Sequence, residues 1–127
     1  MTPAAYVKEI LTDNINILEP LSVDHIYAFL IPQSEDTTAE PVLVVSEVPD
    51  YGFDYGNNIP IQNGKRIQIE FYYPKDYAED MEAIESAVEK LLLSKGIYCF
   101  SNAGHVITPD SENIINTLKF NYIKEVI

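Results

Sequence analysis

Residues 65–95 constrain this chain more than any other stretch, because two incompatible periods meet inside them. From Arg66 to Tyr73 the residues alternate, with Ile67, Ile69, Phe71 and Tyr73 on one side and Arg66, Gln68, Glu70 and Tyr72 on the other. That is the period of a strand with one buried and one wet face. Pro74 has no N–H to give a ladder and predicts the strand's end. Asp76, with Glu79 three residues on, reads as an N-cap and capping box. Tyr77, Met81, Ile84, Val88, Leu91 and Leu92 then recur at helical spacing, and Gly96 reads as the left-handed stop. Glu79, Asp80, Glu82, Glu85 and Glu89 fill the other side of this predicted helix and read as a solvated acidic face. A strand running straight into an amphipathic helix requires a sheet for that helix to lie on.

The rest of the chain supplies such a sheet. Thr2-Pro3 is a helix start, and Tyr6, Ile10, Leu11, Ile15 and Leu18 continue it at near-helical spacing, which predicts a first helix over residues 3–18. Asn14 and Asn16 weaken its last turn. His25 to Ile31 and Pro41 to Val48 read as two strands, with the polar segment Gln33 to Glu40 as the tip of a hairpin between them. Ile97 to Phe100 and His105 to Ile107 read as one strand broken around Asn102-Ala103-Gly104, and Leu118 to Ile123 as the last strand. The expected fold is α+β: a mostly antiparallel sheet of four to five strands with two helices packed on one face, in a single domain over residues 1–127.

Charge and motif content narrow the function. Eight basic residues against 20 acidic ones give a net charge of −12, a surface that repels phosphate and disfavours tight binding to nucleic acid or anionic membranes. The N-terminus lacks a basic-then-apolar leader pattern, and no run is long enough to span a bilayer, so a cytoplasmic chain with no membrane partner is expected. The single Cys99 lies in an apolar run and reads as a buried structural thiol. His25 and His105 each open a predicted strand with no ligand partner at metal spacing, and read as structural or surface histidines. No nucleophile elbow or phosphate loop is present, so no catalytic residue, metal or cofactor is assigned and no enzymatic activity is expected.

The segment from Pro49 to Gly64 differs in kind. Its aromatics, glycines and acids follow neither a helical nor a strand period. Long irregular connections in small domains are usually functional when ordered, and aromatics without a local burial pattern need a cover. Asp50, Tyr51, Phe53, Asp54, Tyr55, Asn57 and Asn58 are therefore the candidate contact surface toward another subunit or partner. The loop folding back over its own sheet is the simpler alternative.

Tyr55-Gly56-Asn57-Asn58, the run Gly64 to Tyr73, the stretch Ile107 to Ser111 and Leu118-Lys119-Phe120 together resemble a small-protein family of unknown function. That family is encoded in the structural cassettes of tailed phages of lactic acid bacteria. The resemblance covers most of the chain through structural motifs, none of them catalytic. Such proteins are similar to tail terminator or tail completion subunits of long-tailed phages. The resemblance implies a homo-oligomeric ring, often of six, at the head-proximal end of the tail tube. The implied partners are the major tail tube protein and head–tail connector proteins, with DNA passing through without tight binding. It also implies location in the virion tail or neck, after assembly in the host cytoplasm. A negative bore lining would keep DNA from sticking. The alternatives are another connector component such as a stopper, or an acidic DNA mimic that blocks a host enzyme. A mimic needs carboxylates in phosphate-like rows, whereas here Lys8, Lys65, Arg66, Lys119 and Lys124 interrupt them.

Overall fold

The computed structural model describes residues 2–19, 21–32, 37, 39–48, 55–56, 59–60 and 63–124, with backbone alone for 55–56, 59–60, 63–64 and 123–124. Helix α1 (Pro3–Asp13) starts where expected, with the Thr2 hydroxyl accepting from the Ala5 N–H at 3.1 Å and Pro3 in the first turn. It ends earlier than expected. Asn14 turns its side-chain amide onto the Ile10 carbonyl at 2.8 Å, and Ile15–Ile17 continue only as a 3-10 turn. A short polar side chain that bonds the backbone competes with the helix, which is why the stripe of apolar residues outruns the helix itself.

The strands are β1 (Ile26–Ala28), β2 (Val42–Glu47), β3 (Tyr55–Gly56), β4 (Ile59–Pro60), β5 (Asn63–Pro74), β6 (Tyr98–Asn102), β7 (Val106–Ile107) and β8 (Asn113–Lys124), and α2 (Met81–Ser94) lies between β5 and β6. The main sheet runs β1-β2-β5-β8-β6, with β7 also on β8, while β3 and β4 pair with each other. The fold is α+β, as the periodicities predict. The broken edge strand is also as expected: β6 and β7 lie along the same partner, interrupted at residues 103–105, where Gly104 takes a φ of 94°.

Two further expectations are corrected. β1 and β2 do not form a hairpin; they pair in parallel, Ile26 opposite Leu43 and Ala28 opposite Val45. The strand stops at Ala28 because Phe29 adopts a φ of 73°, a left-handed turn that carries the chain away from the strand direction. Residues 29–41 then supply the dozen or so that a parallel connection needs. Helix α2 begins at Met81 rather than near Asp76, and its cap is Asp80, whose carboxylate accepts from the Ala83 N–H at 3.2 Å. Its C-terminus is as read: Gly96 at φ 81° lets the Gly96 N–H reach the Leu93 carbonyl and the Ile97 N–H reach the Leu92 carbonyl, closing a Schellman motif.

Both helices bury their stripes in one core. Ala4, Val7, Ile10 and Leu11 of α1 and Ile84, Val88, Leu91 and Leu92 of α2 join Leu43, Val45, Ile67, Ile69, Phe71, Tyr73, Leu118 and Phe120 of the sheet. Helices on one side leave the other side of the sheet to the alternate residues: Arg66, Gln68, Glu70 and Tyr72 of β5, opposite Asn121, Lys119, Thr117 and Ile115 of β8.

Candidate functional site

Of the sequence-derived contact surface, Asp50, Tyr51, Phe53, Asp54, Asn57 and Asn58 lie outside the described residues, and Tyr55 is described only as backbone in β3, opposite Pro60. The base of this segment is defined. β3 and β4 form a small hairpin that leads into β5. β5 and β8 then stay paired over their whole length, from Asn63 opposite Lys124 to Pro74 opposite Asn113. The flanking strands are shorter: β2 covers β5 only from Ile67 to Tyr72, and β6 covers β8 only up to Asn121. Among the described residues, the Asn63, Gly64 and Lys65 pairs with Lys124, Ile123 and Tyr122 therefore form a two-stranded ribbon with no third strand. Tyr6 of α1 supports it through a ring contact with Tyr122, centroids 5.8 Å apart.

Beneath α2 sits a polar cluster that no motif announces. Glu85 is 3% exposed, yet it lies on the core side of an acidic helix. Its carboxylate accepts from the Tyr73 hydroxyl at 2.8 Å and from the Asn116 amide at 2.9 Å, and it pairs with His105 Nε2 at 2.8 Å. Asn116, 1% exposed, accepts from the Gly104 N–H at 3.0 Å with its other polar atom. Burying a carboxylate is tolerated only when its oxygens are hydrogen-bonded, and three donors from β5, β8 and the 103–105 break meet that need. Burial above all, then the charge and hydrogen bond of Glu85, hold the Tyr73 phenol well above its ordinary range. The cluster ties α2 to the sheet and holds the break between β6 and β7 in place.

Beside it, Glu82, Glu85, Ser86, Glu89, Asn102, Gly104 and His105 line a surface recess of about 410 Å³ between α2 and the sheet edge. Among the described residues, no three of His, Cys, Asp and Glu converge closely enough to hold a metal ion. The recess is rimmed by Glu82 and Glu89 of α2. His25, the other histidine, pairs with Glu40 at 2.6 Å.

The far side of the sheet is of opposite character at its β6 end. Tyr98 and Phe100 are nearly half exposed, and the Arg66 guanidinium lies 5.7 Å from the Phe100 ring centroid. Lys119 stands one row along, paired across to Gln68. Glu70, further along β5, is engaged by the Gln68 amide at 2.8 Å and the Tyr72 hydroxyl at 3.2 Å. The sequence signal for this patch was the polar half of the β5 alternation, which reads as an ordinary wet face until the strand order places Tyr98 and Phe100 beside it.

No helix among the described residues is long and apolar enough to cross a membrane. A comparison with curated proteins finds no match to the chain. A comparison with known families matches residues 2–125, nearly the whole chain, from the cap of α1 to the end of β8. The protein belongs to the family described as protein of unknown function DUF806.

Proposed function

We propose that this protein is a phage structural subunit, a tail terminator or tail completion protein that assembles as a ring on the head-proximal end of the tail tube. The observation that carries the reading is the β5–β8 ribbon, which outruns both flanking strands and leads into the β3–β4 hairpin. Among the described residues no third strand covers this ribbon, and an uncovered ribbon edge is a template for pairing with another chain, which a second subunit would supply. The aromatic segment next to it, Tyr51, Phe53 and Tyr55, supplies the type of side chain that dominates interface energy once covered. The charge of −12 suits a bore through which DNA passes without binding. The resemblance to small phage structural proteins supports the same role, which is non-catalytic.

The test is assembly. Purified protein is examined by light scattering across concentration and by electron microscopy after mixing with polymerised tail tubes of the same phage. Rings on one end of each tube, and a concentration-dependent rise in mass, are expected. Replacing Tyr51 and Phe53 by Ser is expected to leave the subunit folded but prevent capping. Wild-type protein that binds connector proteins and ignores tube ends would instead indicate the stopper role. Protein that inhibits a nucleic-acid enzyme and ignores both would overturn the structural reading.

A further inference from the structure

The ring reading leaves open which surfaces of the folded body meet, and the charge distribution answers that question. On α2, Glu82, Ser86, Glu89 and Leu93 follow one another at four-, three- and four-residue steps, so they form a single row, exposed at Glu82, Ser86 and Leu93 and half-buried at Glu89. Leu93 in that row is 62% exposed, and the acid-rimmed recess runs alongside it. Asp76, Glu79 and Asp80 extend the negative charge beyond the helix start, and Lys90 is the one cation within α2. Across the sheet, on the side α2 does not cover, Arg66 and Lys119 stand among Tyr98 and Phe100. Among the described residues, neither cation is paired with a carboxylate. In a chain with only eight basic residues against 20 acidic ones, two cations without a carboxylate partner among the described residues, set among exposed aromatics, form a face of sign opposite to the net charge.

We infer that the Arg66, Lys119, Tyr98 and Phe100 face of one copy receives the Glu82–Leu93 row of α2 from a second copy, with a basic side chain entering the recess between Glu82, Glu89 and Asn102. The inference rests on the proposed self-assembly and names its surfaces. The two faces lie on opposite sides of the sheet, so the contact is head-to-tail. A contact between two different faces of each subunit closes into a ring or continues as a filament, whereas a self-complementary face stops at a dimer. Leu93 supplies the apolar anchor on one side and the two aromatics on the other, with the charges setting register and orientation. The occupant is a second copy rather than nucleic acid, because two cations on a body of −12 do not attract a polyanion, while they match an acidic row that every copy carries.

The experiment reverses charge on one face at a time. Variant A carries Arg66→Glu and Lys119→Glu; variant B carries Glu82→Lys and Glu89→Lys. Arg66 and Glu82 are exposed and Lys119 and Glu89 half-buried, and circular dichroism checks that each variant keeps its fold. Each variant alone is expected to remain monomeric by sedimentation velocity at concentrations where the wild type assembles. Mixed one to one, the altered sheet face of A meets the altered helix of B, and the remaining contact is wild-type in kind. The mixture is therefore expected to recover the wild-type assembled mass. Variants that assemble alone as the wild type does, or a mixture that stays monomeric, overturn this interface and leave the ring reading standing. Wild-type protein that never self-associates, free or on tail tubes, overturns both.

Discussion

Removing the hydroxyl of Tyr73 leaves the buried Glu85 carboxylate short of one donor, with Asn116 and His105 still in place. Tyr73→Phe is expected to lower the unfolding free energy by about 1–3 kcal/mol, the range for depriving a buried group of its partner, measured by urea denaturation at pH 7. The same residue sets an alkaline limit. Burial first, and the Glu85 charge and hydrogen bond after it, raise the folded-state phenol pKa above that of the unfolded chain. Above about pH 10 the unfolded chain therefore loses a proton that the folded protein keeps. The stability contributed by the neutral phenol is complete below that pH and declines as pH rises, by up to ~1.4 kcal/mol per unit. Burial pushes Tyr72, Tyr77 and Tyr122 the same way, so the wild type should lose stability steeply between pH 10 and 11. Tyr73→Phe should show a shallower decline over that interval; an identical slope would remove Tyr73 from the account. Glu85 was half legible in the sequence. The charge pattern places it on a solvated acidic face, yet Met81, Glu85, Val88 and Leu92 fall in one helical row, and the carboxylate is the polar member of an otherwise apolar stripe. Its partners lie 12, 20 and 31 residues away, beyond the reach of any local pattern.

At the scale of elements, α2 is the test of how the core is built. Ile84 is 2% exposed and belongs to the cluster with Ile67, Ile69 and Phe71. Ile84→Ala is expected to destabilise by about 2–5 kcal/mol as a large-to-small change in a packed site. A loss under half a kcal/mol in denaturant unfolding would contradict the packing described. The cap gives a second, independent test. Asp80→Ala should lower stability by about 1 kcal/mol through loss of the bond to the Ala83 N–H, whereas Asp76→Ala should stay within about 0.5 kcal/mol. The reverse order would restore the longer helix. The sequence pattern reads Asp76 as the cap; the turn from the Tyr77 N–H to the Pro74 carbonyl, closed at 3.0 Å, holds residues 74–77 out of the helix and leaves the cap to Asp80. The strand and helix periods themselves were legible because each has a buried face. The parallel direction of β1 was not, because direction depends on where the connection runs and on a left-handed Phe29, and neither leaves a trace in periodicity.

For the whole molecule, the proposed interface and the net charge pull the salt response in opposite directions. A subunit of −12 repels its copies over long range, and raising ionic strength shortens that repulsion to a Debye length of about 10 Å at 0.1 M. The contacts proposed between Arg66 or Lys119 and the Glu82–Glu89 row are local, within a few ångströms and partly desolvated by Tyr98, Phe100 and Leu93, so moderate salt screens them far less. Self-association is therefore expected to strengthen from about 10 mM to about 150 mM salt as the long-range term is removed. It should then weaken toward about 1 M, where the Debye length of about 3 Å reaches the contact pairs themselves. Sedimentation equilibrium at fixed protein concentration across that range should show a maximum. Assembly held together by apolar contacts of the Tyr51–Tyr55 segment alone would strengthen all the way up, since no favourable charge pair would be lost. A steady rise would thus assign the interface to that segment, and a maximum to the two charged faces. Variant A tested in the same series separates the cases again: with its sheet-face cations replaced by acids it has only repulsion to screen, so any residual association should rise without a maximum.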